Sequence, residues 1–331
     1  NGEEFADVIV DLNSMILENE IRVTQDLDWL LNEWKTAHDA GLLEVKFWAA
    51  IGIPGTALGS VGMKVVGDFL YLINGAKLWK YDLVNGGWTT LLIHSSNLVA
   101  IDAIGSTVYV CSTSRVYEVD GSTLVDIGLF YHPSGVELKK IVAVGTKLYA
   151  IGAYDDVTHN ASTVTSELSY YQSTDDTWYD TGGVNGYDGA TDGTNLYVAG
   201  TDTGVSGRLR KWDGATWTNV GGTFPLTISA VHATATKVII GVIEAGSDNK
   251  LYILNGGTWD VLGGGVNGYV RAIATYFDDV YVGGEFTDRG NHVAKYSGEQ
   301  WWDMAGGTNG TVNLIQMYND DVIVDGSFTQ A

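Results

Sequence analysis

The chain has 331 residues, with 40 acidic against 18 basic side chains and a formal net charge of −22. That charge repels phosphate backbones and anionic lipid, which excludes nucleic acid as a partner, while a hydrophobic share of 45% is too high for a disordered acidic chain. No stretch reaches the roughly 18 apolar residues that a membrane-spanning helix needs, so no membrane insertion is expected; 43 glycines, 3 prolines, 11 tryptophans and 18 tyrosines point instead to short strands joined by tight turns.

The opening residues, NGEEFADVIVD, lack the basic-then-apolar order of a signal peptide, and because residue 1 is Asn, upstream sequence and export both stay open. Residues 1–41 are poor in glycine and carry Leu27, Leu30, Leu31, Trp34 and Ala37 at helical spacing. Thr24 suits the start of that helix and Gly41 its end. A short helical attachment arm is expected here, with Leu27, Leu30, Leu31 and Trp34 as its contact stripe on the rest of the protein or on a partner subunit.

Residues 42–52, LLEVKFWAAIG, repeat the spacing Trp259-x-x-Leu262-Gly263 as Trp48-x-x-Ile51-Gly52. They read as an outer strand without its inner companions. From about residue 60 a repeat of about 42 residues runs to the end of the chain, clearest from Gly263 and from Gly306. Each copy reads as glycine turn, alternating strand, tight turn, apolar strand, and then a hairpin ending on an aromatic. One marker sits in the second strand: Tyr71, Tyr109, Tyr149, Tyr197, Ile239, Tyr281 and Ile323, with intervals of 38, 40, 48, 42, 42 and 42. The other sits in the last strand: Trp88, Leu124 as a substitution, Trp178, Trp217, Trp259, and Trp301 or Trp302. Pairs such as Asp213-Gly214 and Asn255-Gly256 suit hairpin turns that need positive φ.

A four-stranded meander cannot bury both its faces alone, whereas a ring of meanders packs face on face. The expected fold is therefore all-β: a seven-bladed β-propeller of four-stranded antiparallel blades over residues 42–331, preceded by the helical arm 1–41. The seventh blade is expected to be shared between 42–52 and 308–331.

At KWDGATWTNVGG, VYVGGEFT and AKYSGEQWWDMAGG the chain resembles the WDG-type and kelch-like propeller repeats of bacterial surface proteins and phage virion appendages. The Gly-His element of WD40 repeats is missing. What the resemblance implies is a propeller that builds or binds rather than catalyses: a virion appendage of tail-fibre or decoration type, or a surface-displayed adhesion module. Its partners would be other structural proteins of that assembly, copies of itself, or cell-surface glycans, and its location the virion or the cell exterior.

Motifs for chemistry are sparse. Cys111 stands in the apolar run VYVCS and reads as a core residue. The six histidines show no zinc spacing. Asp155-Asp156, Asp278-Asp279 and Asp320-Asp321 offer the oxygens calcium prefers, but two of the three pairs fall at the same turn of the repeat, where Asp serves turn geometry. No metal site is expected, and calcium is the one cation considered. The longest departure from the repeat is Gly152 to Glu167, where the marker interval stretches to 48. Departures carry recognition because the fold does not require them, so Tyr154, Asp155, Asp156 and His159 are the expected ligand-binding residues. A secreted, lectin-like propeller using this loop is the alternative, and a glycan-active enzyme with a site in the central channel the third.

Overall fold

The computed structural model describes residues 60–329, apart from 184, 203–204, 224–226 and 244–249. Every regular element among them is a β-strand.

Blade 1 comprises β1 (Gly62–Val66), β2 (Phe69–Asn74), β3 (Lys77–Asp82) and β4 (Trp88–Ile93), hydrogen-bonded in that order. Blade 2 begins with β5 (Leu98–Ile104), β6 (Thr107–Ser112), β7 (Arg115–Asp120) and β8 (Thr123–Tyr131). Blade 3 starts with β9 (Glu137–Val144) and β10 (Lys147–Ala153). The chain then leaves it to form β11 (Asp156–His159) and β12 (Ser162–Thr165), and returns for β13 (Ser169–Gln172) and β14 (Thr177–Asp180). Blade 4 is β15 (Asp188–Thr191), β16 (Leu196–Asp202), β17 (Val205–Trp212) and β18 (Trp217–Thr223). Blade 5 is β19 (Ile228–Ala233), β20 (Val238–Val242), β21 (Lys250–Asn255) and β22 (Thr258–Val261). Blade 6 is β23 (Val270–Tyr276), β24 (Asp279–Gly284), β25 (Val293–Ser297) and β26 (Gln300–Asp303). The chain ends in a two-stranded sheet of β27 (Val312–Tyr318) and β28 (Asp321–Gly326).

The innermost strands follow one another around a channel, and β27 lies between β23 and β1. The expected seven-bladed ring is thereby corrected: among the described residues there are six blades, and the last repeat is a two-stranded sheet at the seam between blades 6 and 1. The second-strand marker flags inner hairpins, and an inner hairpin is all that β27 and β28 form. The outer strand expected at 42–52 and the helical arm with Leu27, Leu30, Leu31 and Trp34 lie outside the described residues, among which there is no helix.

Two devices explain the repeat. The first is a tryptophan set on a glycine of the preceding blade. The Trp178 indole donates to the Ile127 carbonyl and covers Gly128. Trp217 Nε1 donates to Thr181 O (3.1 Å) beside Gly183, and Trp301 Nε1 donates to Gly263 O (2.8 Å). A Cβ on Gly128, Gly183 or Gly263 would lie 2.9, 2.8 or 2.5 Å from the indole, inside van der Waals contact. Trp259 covers Gly221 in the same way. The tryptophan thus fastens a seam between blades by burial and, where its N–H reaches a carbonyl, by a hydrogen bond.

The second device is the Phe-Thr signature. Phe286 is fully buried between sheets. The Thr287 N–H donates to Asn267 Oδ1 (2.8 Å) while Asn267 Nδ2 donates to Thr287 Oγ1 (3.2 Å). Thr329 and Asn309 repeat the exchange at 2.8 and 3.0 Å. The glycine two residues before each Phe is needed because the first strand approaches closely there: a Cβ on Gly284 or Gly326 would collide with the carbonyl of Tyr269 or Thr311.

Candidate functional site

The two ends of the ring differ. One face carries the turn from first to second strand and the turn from third to fourth. The other carries the second-to-third connections and the links between blades. On the first face the inner turns are tight, as at 67–68, 105–106, 145–146, 277–278 and 319–320. On the second, the connection spans 75–76 in blade 1 and 113–114 in blade 2, but 285–292 in blade 6 and 154–168 in blade 3. Irregular loops on a rigid frame are where recognition is built, so the second face is the candidate binding surface, here called the loop face.

The longest of these connections is the β11–β12 hairpin, which starts on the loop face and runs along the rim of the ring toward the tight-turn face. The chain leaves blade 3, crosses the seam and pairs β11 with β8, with Asp156, Val157 and Thr158 opposite Tyr131, Phe130 and Leu129. Blade 2 becomes a six-stranded sheet, ordered β12-β11-β8-β7-β6-β5. One face of the extension packs on blade 3 through Val157 and Phe130, both buried with Trp178 and Tyr154. At the hairpin tip Asn160 and Ala161 take positive φ. There Asp176, in the β13–β14 turn, accepts from Asn160 Nδ2 (2.8 Å) and Tyr171 OH (2.7 Å), and a His159 ring nitrogen lies 2.7 Å away. Partial burial would raise the Asp176 pKa, but the bonds from Tyr171, His159 and Asn160 outweigh it and hold the carboxyl below its usual 3.8. The hairpin of one blade is thereby latched to a turn of the next.

The expected ligand-binding residues separate into two groups. Tyr154 is 0% exposed. Its hydroxyl donates to Ala150 O (2.9 Å) and accepts from the Ser169 N–H (2.7 Å). Burial raises its pKa, with the Ser169 bonds opposing. It packs edge-on to Phe130, with centroids 4.7 Å apart, so it faces the core and not a ligand. Its place in Gly152-x-Tyr154 matches Phe286 in Gly284-x-Phe286, and that spacing is the signal that identifies it as core. His159 is committed to the latch.

Asp155 and Asp156 are partly exposed, and beside them stands Tyr131. Tyr131 is 59% exposed, sits opposite Asp156 in the strand pairing, and accepts the Asp155 N–H at its carbonyl (2.8 Å). The side chain of His132 lies 3.7 Å from Asp155 Oδ1. Leu129, 40% exposed, continues the same strip. Tyr131 and His132 lie in FYHPSG, Phe130–Gly135, one of two short departures from the repeat that set an aromatic beside Pro; in the second, Gly221–Thr227, residues 224–226 lie outside the described residues.

The channel is lined by paired charges. Asp102 on β5 binds Lys64 of blade 1 (2.5 Å) and accepts the Ala143 N–H of blade 3 (2.8 Å). Asp188 on β15 pairs with Lys140 of blade 3 and accepts the Val231 N–H of blade 5 (2.8 Å). Each carboxylate therefore covers an edge amide that an innermost strand presents to the channel, and ties three consecutive blades together. His232 lies 2.9 Å from Thr275 Oγ1 across the next seam, its pKa pushed down to about 4 by burial and by the nearby Lys140 charge.

Among the described residues no three His, Cys, Asp or Glu side chains converge on a metal-binding point. Asp278 is held by Lys237 (2.9 Å) and Asp279 by Lys295 (3.6 Å). Cys111 is fully buried, which pushes its thiol up to about 12.

No family model and no curated protein matches the chain. Solved structures do. The extracellular domain of a putative one-component system from B. thetaiotaomicron aligns with a TM-score of 0.60 at 12% identity, covering 83% of this chain and 38% of that one. The WD40 β-propeller domain of Doa1 aligns at 0.58 and 12%, covering 83% and 92%. The computationally designed Ika8 protein aligns at 0.57 and 12%, covering 83% and 95%. At that identity the likeness shows the fold, a β-propeller. No family match stands behind the WDG or kelch subclass.

Proposed function

We propose that this protein is a non-enzymatic binding and scaffold module displayed on a virion or a cell surface, where the loop face makes the recognition contact. The observation that carries this reading is the asymmetry of the ring. On one face the first-to-second-strand turns stay at two to four residues, while on the other the connections lengthen to 285–292 and to 154–168, the latter as a hairpin that runs along the rim and is latched across a seam. Two further points support it. The channel carboxylates Asp102 and Asp188 are bound to lysines and edge amides, an arrangement that serves the ring. An extracellular domain and a WD40 domain are among the structures with this fold, and both are compatible with a propeller used as a platform. The phage-appendage form of the reading rests on the repeat resemblance and on the stripe Leu27, Leu30, Leu31 and Trp34 as an attachment arm.

The test is electron microscopy of the native source material with an antibody against the ring. Label on virions or surface filaments is the expected result. Label confined to free soluble particles would overturn display. A glycan-binding reading has one observation in its favour, the exposed Tyr131 ring beside Asp155 and Asp156, since an aromatic face flanked by hydrogen-bond acceptors suits an uncharged sugar. Binding on a glycan array that is lost in Tyr131→Ala would establish that reading.

A further inference from the structure

The tight-turn face holds one residue that the fold does not want. Four inner hairpins turn through two residues of which the first has positive φ: Gly67 (57°), Gly105 (58°), Gly145 (60°) and Asn319 (54°). Glycine adopts this conformation freely and asparagine tolerates it, whereas a bulky side chain is strained there. In blade 6 the same position is Phe277, at φ 50°. The contrast is sharpest against the last repeat, where Tyr276-Phe277-Asp278-Asp279-Val280 stands against Tyr318-Asn319-Asp320-Asp321-Val322.

Burial does not compensate the strain. Phe277 is 84% exposed, the most exposed of the large apolar side chains among the described residues. Nor is the turn loose: Lys237 of blade 5 reaches across the seam and donates to Phe277 O (3.0 Å) and to Asp278 Oδ1 (2.9 Å). The Tyr276 ring braces the Phe277 ring edge-on, at 4.6 Å and 72°. A strained backbone, an exposed aromatic and a brace from the neighbouring blade together present a fixed apolar knob.

We infer that Phe277 is the anchor of a second, separate interface, made with a different protein that offers an apolar pocket edged by basic side chains. The knob is convex, at the end of a hairpin, so it enters a pocket and cannot enclose a small ligand. The exposed Asp278 side chain beside it is already paired with Lys237, so it is the chain as a whole whose net charge of −22 favours a basic rim on the partner and opposes a second copy of this chain. A single buried aromatic at the centre of a contact is the usual form of a dominant binding residue. This interface lies on the face opposite the recognition surface proposed above, so either can fail without the other.

The experiment places a photoreactive benzoylphenylalanine at position 277 in the full chain, and in a second sample at Val84, an exposed residue in a third-to-fourth-strand turn of the same face. Both are irradiated in the cells that make the protein, and the adducts are mapped by mass spectrometry. In parallel, Phe277→Asn is purified from the same source. The expected result is an adduct from position 277 and not from 84, with crosslinks to residues that line an apolar pocket beside Lys or Arg. Phe277→Asn should lose that protein at least tenfold on co-purification while its own Tm rises by about 2 °C. The inference is overturned by adducts to a second copy of this chain, by the same adducts from both positions, or by none. Undiminished co-purification by Phe277→Asn, or a fall in its Tm, overturns it equally.

Discussion

Blade 2 meets its two neighbours differently. Toward blade 3, Trp178 lies on Gly128, bonds to the Ile127 carbonyl, and is flanked by the Phe130 ring at 5.2 Å and by the β11–β12 hairpin. Toward blade 1, the tryptophan position is Leu124, and it packs in a cluster with Leu92 and Tyr117. Four residues after the marker the preceding blade carries Gly128 in the first case and Leu92 in the second. The glycine and the tryptophan appear together and disappear together, as they must if one indole ring fills the space that one Cβ would occupy. The first seam is a specific lock and the second an ordinary aliphatic contact.

The comparison is broken most severely by Gly128→Val, which drives two methyl groups into the Trp178 indole. A loss of about 3 kcal/mol is expected in urea unfolding, because the ring cannot withdraw without losing its bond to Ile127. Trp178→Leu rebuilds the seam in the style of Leu124 and should cost about 2 kcal/mol, from the emptied volume and the lost hydrogen bond. The double variant sharpens the point. Its loss should be smaller than the sum of the two, since the leucine leaves room for the valine, and strict additivity would contradict direct contact.

The smallest effect is local. Asp176 has its folded-state pKa below the usual 3.8, so the stabilisation it gives the hairpin is present above that value and is lost as pH falls through the lowered one. Hydrogen-exchange protection over residues 159–163, taken relative to the intrinsic exchange rate at each pH, should be high at neutral pH and fall below pH 3.8, and Asp176→Asn should remove that dependence. Absence of protection at both pH values would mean the latch is not closed in solution.

Much of this architecture is legible in the sequence because most repeats bury the same second-strand residue and carry an aromatic at the same point of the last strand. Tyr109, Tyr149, Tyr197 and Tyr281 are buried at the expected point of the second strand. The blade count differs because those markers report hairpins: Ile323 marks β28, and among the described residues β28 pairs only with β27. The hairpin's partner was hidden for another reason. Residues 156–165 look like an insertion in blade 3, and local pattern cannot tell that β11 will pair with Leu129–Tyr131 of the blade before. Tyr154 was misplaced although its spacing from Gly152 matched Phe286 from Gly284, while Phe277 stood in plain view against Asn319.

On the proposed reading the loop face is the recognition surface, the ring its support, and the hairpin that starts on this face its principal element. That reading is tested most directly by replacing residues 155–166 with a two-residue turn like those at 75–76 and 113–114, and measuring attachment of the variant to its native surface alongside its Tm. The expected result is a ring that still folds, with a Tm lower by several degrees because Val157 is removed and the Phe130 face loses its cover, and attachment reduced at least tenfold. Attachment equal to that of the intact protein would contradict it and leave the hairpin as a seam brace alone.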